Sequence, residues 1–135
     1  WGFNKGVCLV KKDGTWGYID KAGTMIIKPQ FEEAWGFNEG LAQVKLNGKS
    51  GYINKKGTLI IRPRFTDAGF FFEGLAHVKL NRKWGYIDKK GTILIEPQFE
   101  EAWDFKEGRA AVKKNGKWGF IKNPLYRLNN PRKND

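Results

Sequence analysis

Aromatic and basic side chains recur together in this sequence at a fixed spacing of 34 residues. Each group has a tryptophan, a tyrosine or phenylalanine two positions later and a lysine five positions before the tryptophan. Ring faces stack on sugars and bases, and a lysine beside a ring makes a cation–π contact or attracts an anion. This chemistry serves recognition. The candidate binding residues are Lys11, Trp16 and Tyr18; His77, Lys79, Trp84 and Tyr86; and Lys113, Trp118 and Phe120.

Residues for catalysis are sparse. His77 and Cys8 are single in the sequence, which favours neither a metal cluster, a Cys–His pair nor an internal disulfide. The acidic pairs Glu32-Glu33 and Glu100-Glu101 recur as Thr66-Asp67 at the same spacing, which indicates surface charge rather than an acid/base pair. No glycine motif for phosphate binding occurs. We therefore expect no enzyme activity, no cofactor and no metal.

The charge balance bears on partners. The net charge of +11 and the pI of about 9.8 favour nucleic acid, anionic lipid or an acidic cell-wall polymer. No apolar run approaches the roughly 20 residues that span a bilayer, so no transmembrane segment is expected. Because the chain starts at Trp1 in mid-repeat, we expect it to be a trimmed piece of a longer protein. Its location is left open, with the cell envelope or exterior favoured over the cytoplasm.

The fixed spacing makes the chain a repeat array, in which each copy buries surface against its neighbours. We predict a single domain over residues 1–122, followed by a tail or cap at 123–135. The copies are a half copy 1–15, full copies 16–49, 50–83 and 84–117, and a partial copy 118–122.

Each copy reads as three β-strands. The first two join at Asp13-Gly14, Asn47-Gly48 or Asn115-Gly116, dipeptides that suit a two-residue hairpin turn. A β-branched third strand ends near a proline, and about a dozen residues then form a crossover to the next copy. The predicted fold is all-β, an open solenoid-like stack of three-stranded units, with a small propeller or closed barrel as the alternative. Asn81-Arg82 should give a distorted or longer turn, since Arg82 tolerates positive φ poorly.

Two-residue turns fix which residues share a face. Cys8, Val10, Gly17 and Ile19 share one face, which we predict to be buried. Lys11, Leu9, Trp16 and Tyr18 share the other face, and either the next repeat or a ligand covers it. The central copy differs, because Ser50 and Gly69 stand where other copies have tryptophan. These two positions are expected to be tolerant surface or lined pockets. Phe70 and Phe72 are expected to fill the space left at Gly69, with an apolar contact patch as the alternative.

One copy reads Lys83-Trp84-Gly85-Tyr86-Ile87-Asp88-Lys89-Lys90-Gly91, followed by Glu96-Pro97-Gln98-Phe99 and Glu107-Gly108-Arg109-Ala110-Ala111-Val112. This pattern resembles the bacterial WG-repeat family, also called KWG repeats, over roughly residues 1–122. Ser50 and Gly69 depart from it. The resemblance implies a β-rich binding module, often part of larger bacterial proteins, with no general catalytic site.

A second resemblance covers only residues 14–25, which are similar to choline-binding and glucan-binding cell-wall repeats. Those repeats hold ligands between aromatic residues of adjacent hairpins, but they are shorter and lack the Pro29-Gln30-Phe31 extension. The first hypothesis is therefore a module that binds another protein or assembles with itself. A cell-surface carbohydrate is the second hypothesis, and nucleic acid or another polyanion is the third.

Overall fold

The computed structural model describes residues 6–125, and within that range the chain forms strands and no helix. The strands pair antiparallel in four successive sheets. The first sheet contains β1 (Val7–Lys12), β2 (Thr15–Asp20) and β3 (Met25–Phe31). The second contains β4 (Glu33–Asn38), β5 (Leu41–Leu46), β6 (Lys49–Ile53) and β7 (Leu59–Phe65). The third contains β8 (Asp67–Ala68), β9 (Ala76–Leu80), β10 (Lys83–Ile87) and β11 (Ile93–Phe99), and the fourth contains β12 (Glu101–Ala102), β13 (Arg109–Lys114) and β14 (Lys117–Lys122).

The hairpin registers follow from tight turns. Asp13 and Gly14 both have positive φ, and Lys11 lies opposite Trp16 while Val10 lies opposite Gly17, as predicted. The expected distortion at Asn81-Arg82 is wrong. Both residues have positive φ, 49° and 69°, in an ordinary two-residue turn. The pairing of the strands on either side outweighs the steric cost at Arg82, roughly 1–2 kcal/mol for a residue with a Cβ.

The glycine after each tryptophan is required by the third strand. Trp16 lies opposite Phe31 and Tyr18 opposite Ile27, so Gly17 alone faces a three-residue bulge, residues 28–30. A Cβ on Gly17 would lie 2.5 Å from the carbonyl oxygen of Ile27. The same closeness recurs at Gly51 and Gly85, whereas Gly119, after which the described chain has no third strand, meets nothing within 4 Å.

The crossover carries more structure than the sequence predicted. Only Glu32 separates β3 from β4, and β4 then pairs with β5 as an extra strand of the next sheet. The Glu32 carboxylate accepts hydrogen bonds from the backbone N–H groups of Asn47 and Gly48, at 2.8 and 3.0 Å. The Glu100 carboxylate accepts from the N–H of Gly116 at 3.2 Å, so the first and third crossovers are tied to the hairpin turn that follows them. The middle crossover has Thr66 instead, whose hydroxyl donates to the carbonyl oxygen of Lys79 at 3.1 Å.

The sheets stack so that the aromatic face of one packs on the small apolar face of the next. Tyr18 lies in one cluster with Ala42, Val44 and Ile53. Tyr52 lies with Ala76, Val78 and Ile87, and Tyr86 lies with Ala110, Val112 and Ile121. The predicted fold is confirmed as an open, solenoid-like stack. The face predicted to be buried lies between sheets from the second sheet onward, as at Ala42, Val44 and Ile53, whereas Cys8, Val10 and Ile19 of the first sheet are only partly buried. No helix in residues 6–125 is long and apolar enough to cross a membrane.

Candidate interaction surface

A tyrosine clasp joins each repeat to the next. The Tyr18 hydroxyl donates a hydrogen bond to the carbonyl oxygen of Trp35 at 2.6 Å, and its ring meets the Phe37 ring edge-on at 5.1 Å. Tyr52 and Tyr86 repeat the arrangement with their successors, the hydroxyls donating at 2.6 and 2.7 Å. Burial raises the pKa of all three phenols, so they stay protonated as donors.

The clasp removes two predicted residues from the surface. Tyr18 and Tyr86 are both 0% exposed, because the next repeat covers them. A fully buried ring cannot contact a ligand at the surface. In the inner repeats, therefore, the tyrosine at this position stabilises the contact between successive sheets.

The first and third tryptophan groups are half-buried and carry their lysines. The ammonium group of Lys11 lies 5.6 Å from the centre of the Trp16 ring, and that of Lys79 lies 5.7 Å from the Trp84 ring. Such contacts contribute roughly 0.5–2 kcal/mol each. Both tryptophans also pack against buried clusters between sheets, so little of either ring remains for a ligand.

His77 fills the space that the missing tryptophan leaves at Gly69. A Cβ on Gly69 would lie 2.2 Å from the imidazole, whose centre is 4.9 Å from the Trp84 ring. Its Nδ1 lies 3.2 Å from a carboxylate oxygen of Asp104. The expectation that Phe70 or Phe72 occupies this space is wrong, because His77 takes it.

Ser50, the other departure from the tryptophan pattern, is buried. The side-chain amide of Gln43 donates a hydrogen bond to the Ser50 hydroxyl at 3.4 Å, and Gln43 is itself buried. Ser50 is therefore neither tolerant surface nor the lining of an open pocket. A polar pair takes the place of an indole ring at this point in the stack.

Large aromatic side chains are exposed together on β14 and in the segment that follows β12. Trp103 is 62% exposed, Trp118 50% and Phe120 70%. The two indole rings meet edge-on at 5.9 Å, and the Arg109 guanidinium lies 5.1 Å from the Phe120 ring. We call Trp103, Trp118 and Phe120 the end face. Trp118 and Phe120 stand where Trp84 and Tyr86 stand one repeat earlier, but no sheet follows them in the described chain.

Charged groups surround the end face. Lys113 lies 3.9 Å from the Glu101 carboxylate. Asp104, Lys106, Glu107 and Arg109 line a pocket of about 360 Å³ with Trp103 and Phe120. Among the described residues no group of three or more His, Cys, Asp or Glu side chains is placed to hold a metal ion. The arrangement suits contact with a surface that has an apolar centre and a polar rim.

The sequence named Trp118, Phe120 and Lys113 but missed Trp103. The signal that could have identified Trp103 is its position in the last repeat. Its counterpart in an earlier repeat, Trp35, is half-buried. In a comparison with protein families, the WG containing repeat matches residues 16–49, 51–84 and 84–118. The chain belongs to the WG-repeat family. A search of curated proteins found no match.

The WG pairs of this chain now have distinct roles. In the first and third hairpins the glycine admits the third strand, and the tryptophan lies under a lysine. In the last WG pair, Trp118-Gly119, the glycine has open space and the tryptophan is exposed. The WG repeats thus place one uncovered copy of their stacking surface at the end of the described array.

Proposed function

We propose that this WG-repeat chain is a non-catalytic protein-interaction module and that the end face is its contact surface. One observation carries the proposal. The aromatic face that packs against the next sheet in every inner repeat has no sheet over it in the last described repeat, where Trp103, Trp118 and Phe120 are each at least half exposed.

The composition of the end face supports a protein partner. Tryptophan and arginine are enriched among residues that dominate binding energy at protein interfaces, and both occur here with a charged rim. Large exposed rings grouped on one surface also favour association, because apolar area leaves water on contact. The Arg109 guanidinium over Phe120 can donate hydrogen bonds to a carboxylate or carbonyl oxygen of a partner.

The carbohydrate alternative is supported less well. Repeats that hold ligands between adjacent hairpins need a space there, and in this chain the tyrosine clasp fills it, as with Tyr18 and Phe37 at 5.1 Å. Nucleic acid remains the third candidate because of the net charge of +11. Steep loss of oligonucleotide affinity with rising salt would favour that mode over the proposed one.

A photo-crosslinking amino acid at position 120 tests the proposal in cells that make the natural protein. Position 94 is the matched control, since Leu94 is also an exposed apolar side chain but belongs to β11 of the third sheet and not to the end face. We expect protein adducts from position 120 and not from position 94, identified by mass spectrometry. Carbohydrate or nucleic-acid adducts, or none at position 120, would refute the proposal.

A further inference from the structure

Exposed aliphatic side chains recur along one edge of the stack, on the third strand of each repeat. These strands, β3, β7 and β11, are each the outermost strand of their sheet. The exposed side chains are Met25, Ile26, Leu59, Ile60 and Leu94, each 38–43% exposed. We call these five side chains the apolar edge. Their exposure does not depend on either end of the array, because the central repeat contributes as much as the first.

Successive copies of the apolar edge lie beside one another. A Cβ on Gly57, in the turn before β7, would lie 3.1 Å from the side chain of Ile27 on β3. A Cβ on Gly91, in the turn before β11, would lie 3.3 Å from the side chain of Ile61 on β7. Each of these turns therefore rests on the third strand of the preceding repeat, and the apolar edge continues from one repeat to the next.

The turns that lead into the apolar edge have a fixed geometry and carry lysines. The Asn54 side-chain oxygen accepts hydrogen bonds from the backbone N–H groups of Lys56 and Thr58, both at 2.9 Å. Asp20 and Asp88 make the same pair of bonds in the other two copies. The exposed lysines of these turns are Lys21, Lys55, Lys56, Lys89 and Lys90. Positive charge and apolar area are thus held together a few residues apart.

The central copy carries the strongest positive charge. Its turn has the neutral Asn54 where the other copies have aspartate, and Lys55 and Lys56 are both exposed. Within residues 6–125 neither lysine forms an ion pair. Arg62, also exposed, follows Ile60 by two residues and lies on the same side of β7, because side chains alternate along a strand.

The third copy carries less free charge. The Lys89 ammonium group lies 3.5 Å from the Glu39 carboxylate, and Glu96 stands where the central copy has Arg62. Lys90 keeps its charge unpaired within the described chain. The central repeat is therefore the place where the function of this edge can be tested most directly.

Aliphatic side chains beside unpaired lysines fit a membrane surface better than a protein surface. Residues that dominate protein interfaces are mostly tryptophan, tyrosine and arginine, and lysine is depleted there. A partner strand is disfavoured as well, because each third strand contains a proline, such as Pro63 on β7, which has no N–H to donate. Surface-bound proteins instead insert aliphatic side chains at the level of the headgroups, while their lysines attract anionic lipids.

We propose that the apolar edge and the lysines of its turns dock on the surface of an anionic lipid bilayer. The aliphatic side chains enter the boundary between headgroups and acyl chains, and the lysines contact the negatively charged headgroups. Because the repeats present several copies at once, their contacts add up on a surface that is itself uniform. The apolar edge is separate from the end face, so this proposal does not depend on the proposed function.

Cosedimentation with vesicles tests the proposal. The wild type should bind vesicles of phosphatidylcholine mixed with phosphatidylserine and should not bind phosphatidylcholine alone. Its affinity for the mixed vesicles should fall as salt rises, because salt screens exposed charges. Failure to bind the anionic vesicles overturns the proposal, and so does equal binding to both kinds of vesicle.

A pair of charge variants separates the edge from the net charge of the chain. Lys55→Gln with Lys56→Gln should weaken binding to the mixed vesicles by about 5-fold for each lysine. Lys12→Gln with Lys49→Gln is the matched control, since it removes two exposed lysines beside other hairpin turns. The control should bind like the wild type. Equal losses in the two variants would mean that net charge alone acts, and would overturn the proposal.

A pair of apolar variants tests insertion. Leu59→Gln with Ile60→Gln should weaken binding by about 10-fold or more, because two aliphatic side chains no longer leave water. Leu59→Met with Ile60→Met is the control that keeps the edge apolar, and Met25 already occupies the position equivalent to Leu59. The control should bind within about 2-fold of the wild type. Far-UV circular dichroism checks that both variants fold.

Unchanged binding of the glutamine variant would overturn insertion of the apolar edge. A photo-crosslinking amino acid at position 60 then identifies the occupant directly in cells. Lipid adducts at this position support the proposal. Protein adducts without lipid adducts would assign the edge to a protein partner and overturn it.

Discussion

The substitution Gly85→Ala tests whether the fold requires glycine after this tryptophan because the third strand of the repeat passes close to it. A Cβ on Gly85 would lie 2.5 Å from the carbonyl oxygen of Ile95 and 2.7 Å from the nitrogen of Pro97. Carbon atoms pack favourably at about 3.5–4.0 Å, so β11 would have to move by roughly 1 Å. All the nearest atoms belong to backbone, and no side chain can rotate away.

The expected cost follows from that geometry. Overpacking a buried site typically costs 1–3 kcal/mol, and a clash with fixed backbone belongs at the upper end, so we expect a loss of about 3 kcal/mol in the free energy of unfolding. Domains of this kind have roughly 5–15 kcal/mol in total. Gly85→Ala should therefore lower the urea midpoint clearly, as measured by far-UV circular dichroism.

Gly119→Ala is the matched control, since Gly119 also follows a tryptophan and meets nothing within 4 Å. Its φ is not positive, so alanine fits, and the change should lie within about 0.5 kcal/mol or stabilise slightly by restricting the unfolded chain. Hydrogen exchange would show whether the loss in Gly85→Ala is confined to the third sheet. Equal effects of the two substitutions, or an unaffected Gly85→Ala, would refute the close-approach explanation.

Two further predictions concern a turn and the tyrosine clasp. Arg82→Gly should stabilise the chain by about 0.5–1 kcal/mol in urea unfolding, because glycine relieves the positive φ of 69° but gives the unfolded chain more freedom; a loss of stability would contradict this. Stability should also fall as pH rises above about 10, because burial raises the pKa of Tyr18, Tyr52 and Tyr86 and unfolding then releases their protons. Below the ordinary pKa of 10.0 this contribution is fully present. Each tyrosine adds about 1.4 kcal/mol per pH unit to the alkaline slope, so Tyr52→Phe should reduce the tyrosine part of the slope by about a third, and an unchanged slope would argue against the mechanism.

The hairpins could be predicted because their signals are local. Asp13-Gly14 favours one turn, and that turn fixes Lys11 opposite Trp16, as the structure has it. The same reasoning failed at Asn81-Arg82, where strand pairing on either side holds Arg82 at positive φ. Local reasoning also missed the strands of the crossover. β4 forms because it pairs with β5, and it has no strong sequence pattern of its own.

The candidate surface was predictable only in part. The sequence named Trp118 and Phe120, which the structure leaves exposed. The position of His77 in place of a tryptophan depends on the space above Gly69, which is set by two repeats together. The hydrogen bonds from the backbone N–H groups of Glu73 and Gly74 to the Glu39 carboxylate could not be predicted either, because they form only after the repeats stack.

By itself, the sequence determined the repeat, its hairpins and the two faces of each hairpin, since spacing and turn residues act over a few positions. The tertiary structure decided which face stays in water. Trp84-Gly85-Tyr86 and Trp118-Gly119-Phe120 are nearly identical in sequence, yet Tyr86 is 0% exposed and Phe120 is 70% exposed. The physical reason is that burial of an aromatic face depends on the sheet stacked against it, and the described chain places a sheet over Tyr86 but none over Phe120.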